Sequence, residues 1–592
     1  MKKLILVIMV LATLLISCRE NPKSIQSGSG DAAFQKLSDE FLDLYLAWRP
    51  QLSVYLGLHE YDGKITDFSK PSLDAELARL KSYEHKFSAL DSTILSAKMY
   101  YDFRILLCGI RNEIFNFEDL QVFNHNPMAY FDFILINGWP AFDLSIYINR
   151  RFSPLEERVR SIIALENELP KIIAAAKSNL ADSLPEPYIE TAIKTVNGIA
   201  EFAGKDLVVA LKEVKNDSLM SAFSAVNKMA VDKLNGYVQY LEKEKLPKAT
   251  QNYAIGKQNY QKMLLYDELV TLSPEEILQI GIKELKREQN AFNAAARIVN
   301  PNMKPIDVYY ALQKEHPTAM NLISETKAKV EDIRKFLIDR KIVTIPSDVK
   351  VKVDEMPPYA RSYLAMADIP GPFEKVATEA YYYITPVDPS WTTKQKEDWL
   401  KCFDYYTTDV VTFHEAYPGH YVQYLHLNAS PATKIEKIFS SYAFTEGWAH
   451  SAEQMMIDEG FGNTGDPIKT AKYRLAQSGE ALCRICRYCI SVKMHCEGMT
   501  VDEATQFFMD NWHKEEMPSR LEAMRATYDP RYLFYTFGKL EMLKLREDYK
   551  KQEGANFSLQ KFHDQLLDNG MPSIRLLREK LLKDKTIWDK IL

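Results

Sequence analysis

Helix-start chemistry recurs along this sequence where no strand signal competes with it, and that restricts the fold to a packing of helices. Ser273-Pro274-Glu275-Glu276 offers an N-cap hydroxyl, a proline at the first helical position and a carboxylate three residues on. Ser153-Pro154-Leu155-Glu156 repeats the arrangement. Thr392-Thr393-Lys394-Gln395 adds a capping box, followed by Trp399, Leu400, Phe403, Tyr406, Val410 and Phe413 at helical spacing. Strand signals are few. Residues 342–353, with Val349, Val351 and Val353 alternating after Pro346, predict a short hairpin or ladder, and nothing reads as a βαβ unit. The expected fold is mostly α, many helices around a central cleft with at most a small β element.

The chain has 592 residues, 46% hydrophobic and 26% charged, enough to bury a sizeable core. No fixed-period repeat or low-complexity segment divides it, and the pattern is interrupted only around 245–272 by Lys and Pro. A single helical domain is expected over 31–592, with an N-terminal scaffold lobe at 31–260 and a catalytic lobe at 261–592. A formal net charge of −6 without a long basic run argues against a nucleic-acid partner.

The first residues set the compartment. Lys2 and Lys3 precede an apolar run at 4–15, and Leu15-Ile16-Ser17-Cys18 closes it. The run is too short for a membrane span, which needs about 20 residues, and it ends as a lipoprotein signal ends. Residues 1–17 are therefore expected to be a signal peptide. Cys18 becomes the lipidated first residue, residues 18–30 form a polar tether, and the protein sits at a bacterial cell envelope, on the membrane through its lipid anchor.

The chemistry concentrates in Phe413-His414-Glu415-Ala416-Tyr417-Pro418-Gly419-His420. Imidazole suits zinc, and a zinc-hydrolase helix places its histidines at i and i+4 with a glutamate beside the first as general base. Here the spacing is i and i+6. Six residues of straight helix turn about 600°, which leaves the second histidine about 120° from the first. The helix must therefore break or bulge. Pro418 cannot bond back to His414 and Gly419 tolerates the resulting backbone, so His420 can swing back beside His414, with proline at the start of a continuing helix.

Catalytic zinc usually keeps three protein ligands and one open position. Residues 436–459 read as a helix ending at Gly460, and Glu446, His450 and Glu453 share one of its faces. Glu446 is the expected third ligand, with Glu453 behind it orienting a ligand histidine. Gly447 costs about 1 kcal/mol of helix propensity, tolerable where another helix comes close. One Zn2+ per chain on His414, His420 and Glu446 is the expected cofactor. Glu415 would act as general base to a metal-activated water, with His495 or Tyr535 as oxyanion donor. His426 and His450 are read as bystanders.

Cys483, Cys486, Cys489 and Cys496 form a C-x2-C-x2-C-x6-C cluster that invites a metal-cluster reading. The intervening residues continue a helical pattern without glycine or proline. The spacing therefore reads as a packed stripe of small apolar side chains.

At these blocks the sequence resembles the bacterial family called domain of unknown function 885, whose pattern is His-Glu-Ala-x-Pro-Gly-His-x-x-Gln followed by Glu-Gly-Trp-Ala. Residues 414–423 fit the first block, and 446–449 with Glu453 the second. Leu37, Gly57, His59 and Asp67 resemble the family's beginning, while His495, Pro530, Tyr535 and Gly538 resemble its later blocks. The departures are Ser491 for aspartate, Lys493 for glycine, and His450-Ser451 for Leu-Tyr. The family is similar to gluzincin-type metallopeptidases, which implies a metallopeptidase-like helical fold and hydrolysis of peptide bonds in short peptides. Two other functions stay open: a catalytically silent peptide-binding or envelope scaffold lipoprotein, and a zinc hydrolase of a non-peptide amide or ester. Retention of Glu415 argues against the scaffold, because a structural zinc site takes four ligands and needs no unligated base.

Overall fold

The computed structural model describes residues 28–131, 141–357, 361 and 364–592. Residues 1–17, Cys18 and the tether up to residue 27 lie outside the described residues. Helices make up 70% of the structure against one small three-stranded sheet, so the chain is mostly α as the capping signals require. Among the described residues no helix is long and apolar enough to cross a membrane.

Two hydrophobic cores hold the helices together. One is built from residues between 34 and 241, joined by Ile435 and Leu576. The other is built from residues between 253 and 591, joined by Phe115. Helix α1 (Ala97–Glu118) serves both, because Phe103, Leu106 and Ile110 point into the first core and Phe115 into the second. The second core contains α2 (Gly256–Glu268), α3 (Pro274–Val299), α4 (Tyr405–Glu415), α5 (His420–Ala429), α6 (Tyr442–Asp458), α7 (Pro467–Cys496), α8 (Glu516–Tyr528) and α9 (Phe534–Glu553).

Helix α7 is buried over most of its 30 residues, with only a narrow stripe at Glu480, Arg487 and Lys493 part-exposed along its middle and end. It lies so close to α3 that a Cβ at Gly281 would meet the Tyr488 ring at 2.3 Å. Cys483, Cys486 and Cys489 are buried free thiols on this helix, and Cys489 is part of the wall beside Gly281.

Several boundaries differ from the expected ones, each for a local reason. The Ser273–Glu276 and Thr392–Gln395 capping boxes form. At Ser153 no side-chain cap forms. Pro154 itself is the N-cap, and the Ser153 carbonyl accepts from Arg158 Nε at 3.0 Å. The helix expected to run on through Phe413 stops at Leu400, because Asp404 caps a new start by accepting the N–H groups of Tyr406 and Thr407. The helix expected over 436–459 begins at Tyr442, where Ser441 accepts the N–H of Phe444, and a separate short helix, Lys434–Ile438, precedes it.

The sheet also differs from the expected ladder. Its strands are β1 (Lys352–Glu355), β2 (Ala365–Asp368) and β3 (Tyr381–Ile384), in the order β1-β3-β2, with β3 parallel to β1 and antiparallel to β2. Of residues 342–353 only the last two enter a strand. Ile342 and Val343 are buried side by side in the core and Val349 is exposed, so the alternation there does not follow a pleat.

Candidate metal centre

The centre is made by a break between two helices. After Glu415 the chain leaves α4, turns through the cis Tyr417–Pro418 bond, and begins α5 at His420 with Gly419 as its N-cap. Pro418 thus stands just outside the second helix rather than at its first position. The turn folds back so tightly that a Cβ on Gly419 would lie 1.7 Å from the His414 carbonyl oxygen. Helix α6 fastens it, since the buried Trp448 donates its indole N–H to the Pro418 carbonyl at 2.9 Å. Gly447 beside that tryptophan faces α9, where a Cβ would lie 2.5 Å from Gly538, so these two glycines set the crossing of α6 and α9.

The fold-back brings His414, His420 and Glu446 together, with one donor atom of each inside a sphere of mutual distances within 4.8 Å. Glu446 Oε2 lies 3.4 Å from His414 Nε2 and 3.7 Å from His420 Nε2. That oxygen is buried and makes no hydrogen bond, so the two facing imidazoles are its ion-pair partners, at the point where a cation could sit between all three. Burial disfavours its charge, but His414, His420 and Arg525 outweigh burial and bring Glu446 down to about 2. At His414 burial again opposes the charge, and Glu446 and Glu453 overcome it to raise the imidazole to about 9. The donor set of two imidazoles and one carboxylate matches a three-ligand zinc site.

Behind the ligands stand the groups that aim them. His414 Nδ1 donates to Glu453 Oε1 at 2.8 Å, leaving Nε2 forward, and His420 Nδ1 donates to Gln423 Oε1 at 3.4 Å. Glu453 also accepts from His450 Nδ1 at 3.1 Å and pairs with Arg484 at 3.1 Å. Burial opposes its ionisation, yet Arg484, His450 and His414 hold it well below the usual carboxylate range. His450 does not line the cavity onto which His414, His420 and Glu446 open, and burial pushes it down to about 3. Replacing Glu453 by Gln is expected to weaken zinc binding about 10- to 100-fold, measured by competition with a chromogenic chelator.

The ligands open into a cavity of about 630 Å³ between the two cores. Glu415 lies on its wall, and no hydrogen bond or ion pair among the described residues engages that carboxylate. Tyr535 is on the same wall, packed edge-on to Tyr442 with ring centroids 5.6 Å apart. His495 is not there. Its Nδ1 accepts from Ile255 N–H at 3.4 Å and its Nε2 donates to the Ala526 carbonyl at 2.8 Å, so the ring is a core residue with both nitrogens engaged. The oxyanion-donor expectation is corrected for His495, because Ser491 and His495 are bonded to α2 and α8 and neither lines the cavity. Ser491, Lys493, His450 and Ser451, the departures from the family pattern, are likewise absent from the cavity wall.

Sequence reasoning gave no role to Arg484, Trp448 or Arg525. Arg484 carried a usable signal, a guanidinium amid Leu482, Cys483, Ile485 and Cys486, which can be buried only with a carboxylate partner. Glu268 was also missed. It accepts from Ser441 Oγ at 2.7 Å and from Ala443 N–H at 3.0 Å and so anchors the start of α6. Burial pushes its carboxyl up to about 8. Between the ordinary carboxylate range and that value the folded chain keeps a proton the unfolded chain has released, so stability falls as pH rises through the window. Glu268→Gln is expected to raise Tm relative to the parent at pH 8 and to leave it unchanged at pH 4.

Family membership follows from the comparison with known proteins. The profile of the family described as "Bacterial protein of unknown function (DUF885)" matches residues 50–581. The chain belongs to the DUF885 family. Two solved structures share the fold of this DUF885 chain. One is described as "a putative lipoprotein of unknown function from Shewanella oneidensis", with TM-score 0.76 and 23% identity over 93% of this chain and 100% of that one. The other is "the putative lipoprotein from Colwellia psychrerythraea", with TM-score 0.74 and 19% identity over 94% of this chain and 99% of that one. No curated protein matches.

Proposed function

We propose that this DUF885 protein is a zinc-dependent peptidase that cleaves short peptides at the cell envelope, with one zinc per chain. The observation that carries the reading is Glu446 Oε2, a buried carboxylate oxygen that makes no hydrogen bond and faces two imidazole nitrogens, with the unengaged Glu415 on the same cavity wall. Zinc held by His414, His420 and Glu446 would supply a Lewis acid that acidifies water and polarises a carbonyl.

The chain's own groups do the rest. Glu453 and Gln423 each accept a ligand histidine's Nδ1–H and thereby fix ring orientation. Glu415 takes the proton of the attacking water and returns it to the departing amine. Tyr535 offers its hydroxyl to the oxygen on which negative charge develops. A peptide fits this cavity because Met366 and Ala367 of β2 line it, and β2 pairs with β3 alone among the described residues. Its other edge offers backbone N–H and C=O groups to an extended chain. Lipid at Cys18 would hold the protein on the membrane, in keeping with the description of both neighbours as putative lipoproteins.

The test is metal analysis of purified protein joined to turnover of a short-peptide library. Zinc near one per chain is expected, with activity abolished by chelation and restored by zinc. Zinc-loaded protein inert toward every peptide would sink the reading, and metal-free active protein would sink the mechanism.

A further inference from the structure

When water attacks a peptide carbonyl, the C=O electron pair moves onto the oxygen, and that oxygen can accept from more than one hydrogen-bond donor. Tyr535 brings one hydroxyl to the cavity wall. Most other hydroxyls there are committed within the protein. Tyr45 donates to Glu113 at 2.8 Å, Ser441 to Glu268 at 2.7 Å, Thr445 to the Ser441 carbonyl at 3.0 Å and Ser573 to the Glu268 carbonyl at 2.7 Å.

Tyr424 differs from them. It stands four residues after the ligand His420 on α5, so the two side chains leave one face of the helix a turn apart. Helical side chains lean toward the N-terminal end of their helix, which carries the tyrosine back toward His420. Tyr424 lines the same cavity as His414, Glu415, His420 and Glu446, and its ring packs against the second core, which holds it in place. No described residue hydrogen-bonds its hydroxyl, and that oxygen is not closed off from the cavity. Burial, the Tyr55 hydroxyl and the Glu446 carboxylate push the phenol up, so the group stays protonated at neutral pH and feels the charge of a metal ligand. A phenol in that state donates a hydrogen bond without giving up its proton.

We propose that Tyr424 is a further catalytic residue of the metal centre, its hydroxyl donating to the substrate oxygen on which negative charge develops. The proposal rests on the peptidase reading and adds a second donor to Tyr535. In the step it serves, the water oxygen bonds to the carbonyl carbon, the C=O pair becomes a lone pair on oxygen, and Glu415 holds the proton the water has lost. When the C–N bond breaks, that lone pair restores the C=O and the amine takes the proton from Glu415. The Tyr424 proton stays on Tyr424 throughout.

Tyr424→Phe tests it, because the change removes the hydroxyl and keeps the ring. The lost oxygen bonds to nothing described in the protein, so Tm and zinc content are expected to match the parent. On a short peptide kcat is expected to fall about 10²-fold with KM unchanged, the loss that follows removal of one oxyanion donor. A phosphinic pseudopeptide, whose tetrahedral phosphorus bears the charged oxygen, is expected to bind the zinc-loaded variant about 10²-fold more weakly in a calorimeter. A raised KM with kcat intact would make Tyr424 a ground-state contact and overturn the proposal. A lower Tm or zinc content would show a structural role and overturn it equally, as would phosphinate binding that is absent from wild type or equal in the two proteins. If zinc-loaded wild type cleaves no peptide, the peptidase reading falls, while weaker phosphinate binding by the variant keeps Tyr424 as a donor.

Discussion

Glu415→Gln protein is expected to bind zinc as the parent does and to lose about 10²- to 10⁴-fold in kcat, the range over which a positioned general base contributes. The two halves of this result come from different parts of the geometry. Glu415 is adjacent to His414 in sequence, yet it is His414 and Glu446 whose atoms approach one another, and Glu415 is outside the ligand group. Gln keeps the volume and the cavity wall and removes only the ability to take a proton. Glu446→Gln is the contrasting variant. It alters the oxygen that faces both imidazoles and is expected to lose the metal together with the activity. Zinc content read beside kcat separates the two, and equal metal loss in both variants would remove Glu415 from the role of base.

A larger structural effect is expected from one methyl group. In Gly419→Ala the new Cβ would sit 1.7 Å from the His414 carbonyl oxygen and 2.4 Å from that of Phe413. Both are backbone atoms at the end of α4, so no flexible side chain can yield. The turn must open, which separates His420 from His414 and pulls Pro418 from the Trp448 N–H. The cost is expected at ~3 kcal/mol or more, the upper range of overpacking, seen as a lower Tm. Zinc affinity should fall at least about tenfold, because the two imidazoles no longer share a focus. Gly198→Ala serves as control. It lies within the helix Glu186–Glu201 with nothing within 4 Å of a new Cβ, and is expected to stabilise slightly, by about 0.4–1 kcal/mol. Normal zinc binding by Gly419→Ala would show that the tight turn is not what assembles the ligands.

Much of the helical skeleton was legible residue by residue. Ser273 and Thr392 form their capping boxes because an N-cap and its partner are three residues apart and meet whatever the rest of the chain does. The need for a break at Pro418 was legible for the same reason, since a missing N–H and an i, i+6 spacing are local facts. Asp404 and Ser441, which start α4 and α6, carried the same kind of signal and were read through, because apolar spacing continues across both positions.

Other features depended on the tertiary structure. His495 and Tyr535 looked alike as candidates, and the rotation of α7 sends the first into the core while α9 places the second on the cavity wall. Arg484 finds Glu453, Trp448 finds Pro418 and Gly447 finds Gly538 across separations that no helical period encodes. The amino-acid order by itself determined which segments are helices, where the zinc-suited side chains stand and where the backbone must break, because capping, periodicity and proline sterics act within one or two turns. The packing of α6 against the turn and the pairing of a buried guanidinium were decided only in three dimensions. Each depends on surfaces that exist once distant helices have packed.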